Sequence, residues 1–287
     1  MGISSALGPA HEIALSSGRV RYHDTGTGSP VVFVHGLLVN ADLWRGVVPG
    51  LAATGHRCLT PDWPLGSHSI PMPAADLTPT GIADLIGEFL EALDLTDVTI
   101  VANDTGGALT QILMTRRPER IGRVVLAAVD CYEIWPQPFT TLLKVAKIPG
   151  TIAPLLAPMR WRFMQRLPLG FGWLTKHDLP HEIAESFLRP ARRSAAIRAD
   201  LRRFAATADK GCTLAAAERF AEVDLPVLVV WSTEDKLFPM TLAERLVADL
   251  PRATLRTVDN SYTFISEDRP ELLTELIVEF TRLHAAP

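Results

Sequence analysis

One segment of the sequence combines the residue types and the order that nucleophilic catalysis requires. Residues 98–109 read VTIVANDTGGAL, so an apolar strand runs into a turn centred on Asp104 and then into a helical pattern. A side chain on a strained strand–turn–helix junction is exposed to substrate, and small residues beside it let the helix approach closely. We therefore predict that Asp104 is a nucleophile. The alternative is an ordinary turn in which the aspartate caps the helix.

A second motif, His35-Gly36, follows the apolar run VVFV. A loop after such a strand can supply one backbone N–H to an oxyanion, and the residue after the nucleophile supplies the other. The predicted donors are therefore the N–H groups of Leu37 and Thr105. His35 is interpreted as a support for this loop that borders the substrate, rather than as a base.

Five segments together resemble the α/β-hydrolase superfamily. They are VVFVHG, PDWPLGSHSIP, VANDTGGAL, VLVVWSTEDKLFP and SEDRPELLTELIVEF. The similarity extends over the whole chain apart from a variable middle section. Aspartate followed by x-Gly-Gly at the turn is most similar to the haloalkane dehalogenase and epoxide hydrolase branch.

The resemblance implies a supporting acid after the strand VLVVW. Asp235, in WSTEDKLFP, occupies that position. Asp130, which follows the preceding core strand, is a second candidate for the acid. For each of them the alternative is a solvated surface carboxylate.

The base of the family is a histidine just before the final helix, and here the sequence departs from the pattern. The segment reads NSYTFISE, and Thr263 occupies the histidine position. An aspartate with a usual pKa of about 3.9 is already ionised and attacks without a base. Hydrolysis of the resulting ester does need activated water, and losing a general base costs about 10²–10⁴-fold. His68, in the loop PLGSHSIP, is the candidate replacement, with an exposed loop histidine as the alternative.

The elements that must position these residues follow from the hydrophobic pattern. Short apolar runs alternate with helical patterns as far as VVLAAV, which predicts an α/β fold with a doubly wound, mostly parallel sheet of the α/β-hydrolase type. The alternation stops near residue 133 and resumes near VLVVW. We predict a core domain formed by 1–132 and 211–287, with 133–210 inserted as a helical cap.

Several residues near the predicted mouth are candidates for contact with a substrate. With His35 they are Trp44, Tyr132, Trp135, Tyr262 and Thr263. Cap aromatics also commonly serve packing between cap and core. Leu37 and Thr105 stand where dehalogenases carry halide-binding side chains, and the cap tyrosines that epoxide hydrolases use are missing. Neither of these two activities therefore fits well.

Composition restricts the class of protein. The 287 residues carry a formal charge of −4 without a basic block, which argues against nucleic acid as a partner. The three cysteines lack metal spacing, so we expect reduced thiols, no metal and no cofactor. Neither a secretion signal nor a long apolar run is present, so we predict a cytoplasmic protein without a membrane partner.

The combined prediction is a hydrolase that uses Asp104 on a small, largely apolar substrate. One alternative is a lyase or isomerase in which Asp104 removes a proton and no ester forms. Another is a ligand-binding protein that has lost hydrolytic turnover. The sequence leaves the substrate and the oligomeric state open.

Overall fold

Eight strands form one sheet in the computed structural model, which describes residues 4–133, 137–168 and 170–285. The strands are β1 Ala10–Leu15, β2 Gly18–Thr25, β3 Ser29–Val34, β4 His56–Pro61, β5 Val98–Asp104, β6 Ile121–Val129, β7 Val227–Ser232 and β8 Ala253–Val258. Their order is β1-β2-β4-β3-β5-β6-β7-β8. β2 runs antiparallel to both of its neighbours, and the other adjacent pairs are parallel. The predicted fold class is confirmed.

The described ranges contain α-helices in the order that the alternation predicts. They are α1 Val48–Ala53, α2 Pro79–Ala92, α3 Thr105–Arg116, α4 Gln137–Ala146, α5 Ile152–Leu156, α6 Arg162–Gln165, α7 His181–Arg193, α8 Ala195–Thr207, α9 Lys210–Ala217, α10 Met240–Asp249, α11 Ile265–Asp268 and α12 Pro270–Leu283. Short 3-10 turns lie at Ser5–Leu7, Ala41–Trp44, Ala157–Arg160 and Phe220–Glu222. None of the helices in these ranges has the length and apolar character needed to cross a membrane.

The central strands β3, β5, β6 and β7 are almost wholly buried, as continuous apolar runs predict for parallel strands covered on both faces. Their register pairs Val34 with Ala102, and Asp104 with Val129. Parallel strands bring their carboxyl ends to one edge of the sheet. The loops after β3, β5, β6 and β7 therefore converge at that edge, and these are the loops that carry the predicted site residues.

The described part of the segment between β6 and β7 contains the helices α4 to α9, joined by turns and irregular stretches. α4 packs against α8, and α5 packs against α7. α9, in contrast, packs against the core helix α3. The proposed division into a core of 1–132 and 211–287 with a cap of 133–210 is compatible with these contacts and stays a prediction.

Candidate active site

Asp104 lies at the junction of β5 and α3 with φ 53° and ψ −133°. A side chain other than glycine rarely adopts a positive φ, so the surrounding structure must hold this turn in place. A Cβ on Gly106 would lie 2.2 Å from the Val34 carbonyl oxygen, which explains the glycine directly after the turn. The Asp104 side chain makes no capping hydrogen bond to α3, so the alternative of a helix cap is wrong.

The Asp104 carboxylate is buried and held by backbone donors. Its Oδ2 accepts a hydrogen bond of 3.2 Å from the Leu37 N–H, and the Thr105 N–H also stabilises the carboxylate. A Cβ on Gly36 would lie 2.0 Å from Asp104 Oδ2, so only glycine allows the loop to approach this closely. The structure thus brings together Asp104 and both N–H donors that the sequence predicted.

Burial changes the protonation of Asp104. It raises the pKa of the carboxyl to about 7, while the two N–H donors act in the opposite direction and the charge of Asp235 raises the pKa further. The expectation of a fully ionised Asp104 with a usual pKa is therefore wrong. Since desolvation penalises the charged form, a substantial fraction of Asp104 is protonated at neutral pH.

Asp130 lies directly after β6 and contacts the elbow formed by Asp104 and the start of α3. Its Oδ2 accepts a hydrogen bond of 2.9 Å from Thr105 Oγ1, and its backbone N–H donates to the Asp104 carbonyl. Burial raises the pKa of Asp130 well above the usual value, and the nearby Asp104 adds to the rise. Asp130 is only 2% exposed, so the alternative of a solvated carboxylate is wrong for it.

Asp235 follows β7 and is joined to the elbow through Thr263. Asp235 Oδ1 accepts hydrogen bonds from the N–H groups of Leu237 (2.8 Å) and Phe238 (2.9 Å) and from Thr263 Oγ1 (3.0 Å). The carbonyl of Thr263 in turn accepts a hydrogen bond of 2.9 Å from Asn103 Nδ2. Burial raises the pKa of Asp235 to about 6, against the effect of its hydrogen bonds. Thr263 thus contacts both the predicted acid and the residue before Asp104.

His68 does not contact Asp104. Its Nε2 lies 3.1 Å from Asp200 Oδ2, which also accepts the Met72 N–H at 2.8 Å. His68 is 2% exposed, so it is not a solvated loop residue either. The buried carboxylate on α8 thus binds the imidazole through Nε2 and fixes the loop. The other ring nitrogen, Nδ1, is buried without a hydrogen-bond partner among the described residues, and the role of His68 as the replacement base stays a prediction.

His35 supports the loop after β3 and has no ring nitrogen left for a substrate. The Trp63 N–H donates to His35 Nε2 at 2.9 Å, so the ring proton is on Nδ1 and donates to the Gly36 carbonyl at 2.9 Å. Complete burial lowers the pKa of His35 to about 4, which keeps the ring neutral. The prediction that His35 contacts a substrate is wrong.

Two aromatic candidates are part of the core. Trp44 is fully buried, and its ring centroid lies 4.9 Å from that of Phe33. The Tyr132 hydroxyl donates to Asp249 Oδ2 at 2.8 Å, and the Arg245 guanidinium lies 3.7 Å from the centroid of the tyrosine ring. The prediction that Trp44 and Tyr132 contact a substrate is therefore wrong, because both rings are fully buried against other parts of the core.

Tyr262 is partly exposed and lines a polar cleft of about 360 Å³ together with Lys176 and His177. It does not line the apolar cavity described below, so the predicted role in binding an apolar substrate is not supported for Tyr262. Trp135 lies outside the described residues.

An apolar cavity of about 390 Å³ lies between the core and the segment that joins β6 to β7. On the core side it is lined by Leu37, Leu38 and Leu237. On the other side the lining is aliphatic or aromatic, as in Leu142, Met159, Met164, Phe171 and Leu174. Leu37 and Leu237, whose N–H groups bind Asp104 and Asp235 respectively, both line this cavity, whereas the two carboxylates themselves do not. Sequence reasoning missed the lining because these leucines and methionines have the pattern of ordinary packing residues.

Within the described ranges, no group of three histidine, cysteine or carboxylate side chains is placed to hold a metal ion. The arrangement combines the Asp104 carboxyl, two N–H donors and the further carboxyls of Asp130 and Asp235 near an apolar cavity.

The family follows from comparison with known proteins. A profile described as the alpha/beta hydrolase fold matches residues 29–270. The chain belongs to the α/β-hydrolase fold family. Haloalkane dehalogenase 2 of Mycobacterium tuberculosis (strain ATCC 25618 / H37Rv) is 28% identical over 270 residues, which is 92% of each chain.

Solved structures agree with this fold. The haloalkane dehalogenase DatA from Agrobacterium tumefaciens C58 superposes with a TM-score of 0.80 and 21% identity, over 98% of this chain and 100% of that one. The epoxide hydrolase CorEH superposes with a TM-score of 0.80 and 18% identity, over 96% and 99%. The resemblance to the dehalogenase and epoxide hydrolase branch is confirmed.

Proposed function

We propose that this α/β-hydrolase acts on a small, largely apolar substrate through Asp104 as the nucleophile. The observation that carries the proposal is the position of the Asp104 carboxyl, on a strained turn and bound to the Leu37 N–H at 3.2 Å. Leu37, whose N–H binds the Asp104 carboxyl, is among the residues that line the apolar cavity, which supports binding of the substrate there. A cavity of about 390 Å³ is at the small end of the usual range of about 300–1,000 Å³ for ligand sites.

In the proposed reaction, one Asp104 carboxylate oxygen bonds to an electrophilic carbon of the substrate while the bond from that carbon to another atom breaks. The names of the relatives suggest a carbon that bears a halogen or belongs to an epoxide. A halide then departs, whereas the ring oxygen of an epoxide stays on the substrate and takes up a proton from solvent. The product of this step is an ester on Asp104. When water later attacks the ester carbon, the Leu37 and Thr105 N–H groups stabilise the oxyanion that develops.

The pKa of Asp104 favours one second candidate function. A carboxylate with a pKa of about 7 is a stronger base than a usual aspartate and removes a proton more readily. In that case the enzyme is a lyase or isomerase, and no ester forms.

A single-turnover reaction in oxygen-18 water distinguishes these functions. Excess enzyme is mixed with primary bromoalkanes and 1,2-epoxyalkanes, quenched, and examined by mass spectrometry. We expect a substrate adduct on the peptide that contains VANDTGG, an unlabelled first product and label on Asp104. Labelled product without an adduct would mean direct attack by water. Turnover of a substrate without oxygen incorporation would support the lyase or isomerase.

A further inference from the structure

Hydrolysis of an ester on Asp104 requires a base, and the usual one is missing. The Thr263 hydroxyl donates to Asp235, and an alcohol does not accept a proton from water at neutral pH. Both ring nitrogens of His35 are bound to the backbone, and His68 binds Asp200 through Nε2, with no hydrogen bond to the elbow among the described residues. The groups that can accept a proton and are linked to the elbow by a hydrogen bond or by their charge are the carboxyls of Asp130 and Asp235.

The two oxygens of Asp235 have different surroundings. Three donors bind Oδ1, from Leu237, Phe238 and Thr263. Oδ2 is buried and has no hydrogen-bond partner among the described residues. A carboxylate fixed through one oxygen presents the other as an acceptor in a defined orientation. The charge of Asp235 acts on Asp104, so the two carboxyls are close enough to interact.

Asp130 is the other carboxyl beside the elbow, and its Oδ1 is likewise buried without a hydrogen-bond partner among the described residues. Asp130 binds the Thr105 hydroxyl, however, whereas Asp235 binds Thr263, which occupies the histidine position. Burial and the charge of Asp104 raise the pKa of Asp130 well above its usual value. The pKa of Asp235 is about 6, which leaves it mostly ionised at pH 7 yet more basic than a usual aspartate. A general base is most effective when its pKa lies near the working pH.

We propose that Asp235 is the general base for hydrolysis of the ester, in place of the histidine whose position Thr263 occupies. This rests on the proposed role of Asp104. Asp235 Oδ2 accepts a proton from water while the water oxygen bonds to the ester carbon of Asp104. The bond then breaks between that carbon and the former Asp104 oxygen that joins it to the substrate, and Asp235 returns its proton to this oxygen, so an alcohol leaves. The second hydrogen of the water remains on the Asp104 carboxyl and exchanges with solvent.

Thr263 is a positioning residue in this scheme. Its hydrogen bond to Oδ1 stabilises the charged form and so lowers the pKa of Asp235. The charged groups on the same loop are Glu234, paired with Lys176, and Lys236, over the Tyr262 ring. Asp104 carries no charge while it is an ester.

The test follows the Asp104 adduct through rapid quenching and mass spectrometry. The probe is whichever primary bromoalkane or 1,2-epoxyalkane forms the adduct on the natural protein. In Asp235→Asn we expect the adduct to form but to decay about 10²-fold more slowly or worse. Glu234→Gln, on the same loop, is the matched control and should leave the decay unchanged.

The pH dependence supplies a readout that a purely structural role would not move. Decay of the natural adduct should accelerate as pH rises through about 6, and Thr263→Val should move that midpoint to higher pH. Equal decay in Asp235→Asn and the natural protein, or a midpoint that Thr263→Val does not move, would overturn the role of Asp235. Absence of an adduct from every probe would instead contradict Asp104 as the nucleophile, and the inference would fall with it.

Discussion

Asp104 combines a strained backbone, complete burial and two N–H donors in a single residue. Replacement by asparagine keeps the shape and the position beside the Leu37 N–H but removes the charge and the nucleophilic oxygen. We expect Asp104→Asn to lose the adduct and at least about 10³-fold of turnover. Mass spectrometry and product release measure the two losses.

The control for this variant is Asp224→Asn, which changes a carboxylate that is 90% exposed in its side chain and lies outside the site. It should retain the activity of the natural protein. Near-normal turnover in Asp104→Asn would refute the assignment of the nucleophile.

Thr263 occupies the position at which the family carries a histidine, so its identity tests how an ester on Asp104 would be hydrolysed. Thr263→His places an imidazole next to Asp235, which can orient it as a base. We expect the decay of the adduct to accelerate by about 10-fold or more, because a positioned imidazole is an effective general base at pH 7. Thr263→Val, which has the same size as threonine, should not produce this gain. Rapid quenching measures both rates of adduct decay. Equal rates in Thr263→His and Thr263→Val would contradict the prediction that position 263 can hold a general base for hydrolysis of the ester.

At the scale of elements, the junction of β5 and α3 depends on how closely the helix approaches β3. A Cβ on Gly106 would lie 2.2 Å from the Val34 carbonyl oxygen, and backbone cannot move aside cheaply. We expect Gly106→Ala to lower the free energy of unfolding by about 2 kcal/mol or more. Chemical denaturation measures the loss.

Gly87, within α2, provides the matched comparison. There the nearest atom to an added Cβ is the Arg117 guanidinium at 3.0 Å, at the end of a flexible side chain. Alanine is favoured over glycine inside a helix by about 0.5–1 kcal/mol, so Gly87→Ala should be neutral or stabilising. If Gly87→Ala lowered the free energy of unfolding as much as Gly106→Ala, the close approach of α3 to β3 would not be the cause of the lost stability.

At the scale of the whole molecule, the buried carboxyls make stability depend on pH. The folded pKa of Asp104 is about 7, against a usual value of 3.8, and Asp130 and Asp235 are shifted in the same direction. Between pH 4 and 7 the folded state therefore binds protons that the unfolded state has released. Folding stability falls as pH rises through this window, and the full cost is present above the folded pKa.

We therefore expect Asp104→Asn, which cannot ionise, to unfold at higher urea concentration than the natural protein at pH 8. The gain should be on the order of 2 kcal/mol and should shrink towards pH 5, where the natural carboxyl is protonated. Asp224→Asn should show no such pH-dependent gain. A gain in Asp104→Asn that is equal at pH 5 and pH 8 would refute the protonation argument.

The sequence by itself determined the features that depend on local pattern. The runs VVFV, VTIVA and VLVVW form buried strands because continuous apolar residues have to be covered on both faces. The turn at Asp104 was predicted because its glycines let the helix approach closely, and the loop at Gly36 because it follows the run VVFV. The ends of elements depend on more than local pattern: a 3-10 turn at Ala41–Trp44 precedes α1, which begins only at Val48.

Only the tertiary structure decided the protonation and the partners of the site residues. The pKa of Asp104 depends on burial by segments far away in the chain, and no local pattern reports that burial. His68 pairs with Asp200, 132 residues later, and Tyr132 with Asp249, 117 residues later. Side chains that satisfy their hydrogen bonds across such separations are fixed by packing. Residue type and local pattern alone therefore did not reveal the partners of His68 and Tyr132.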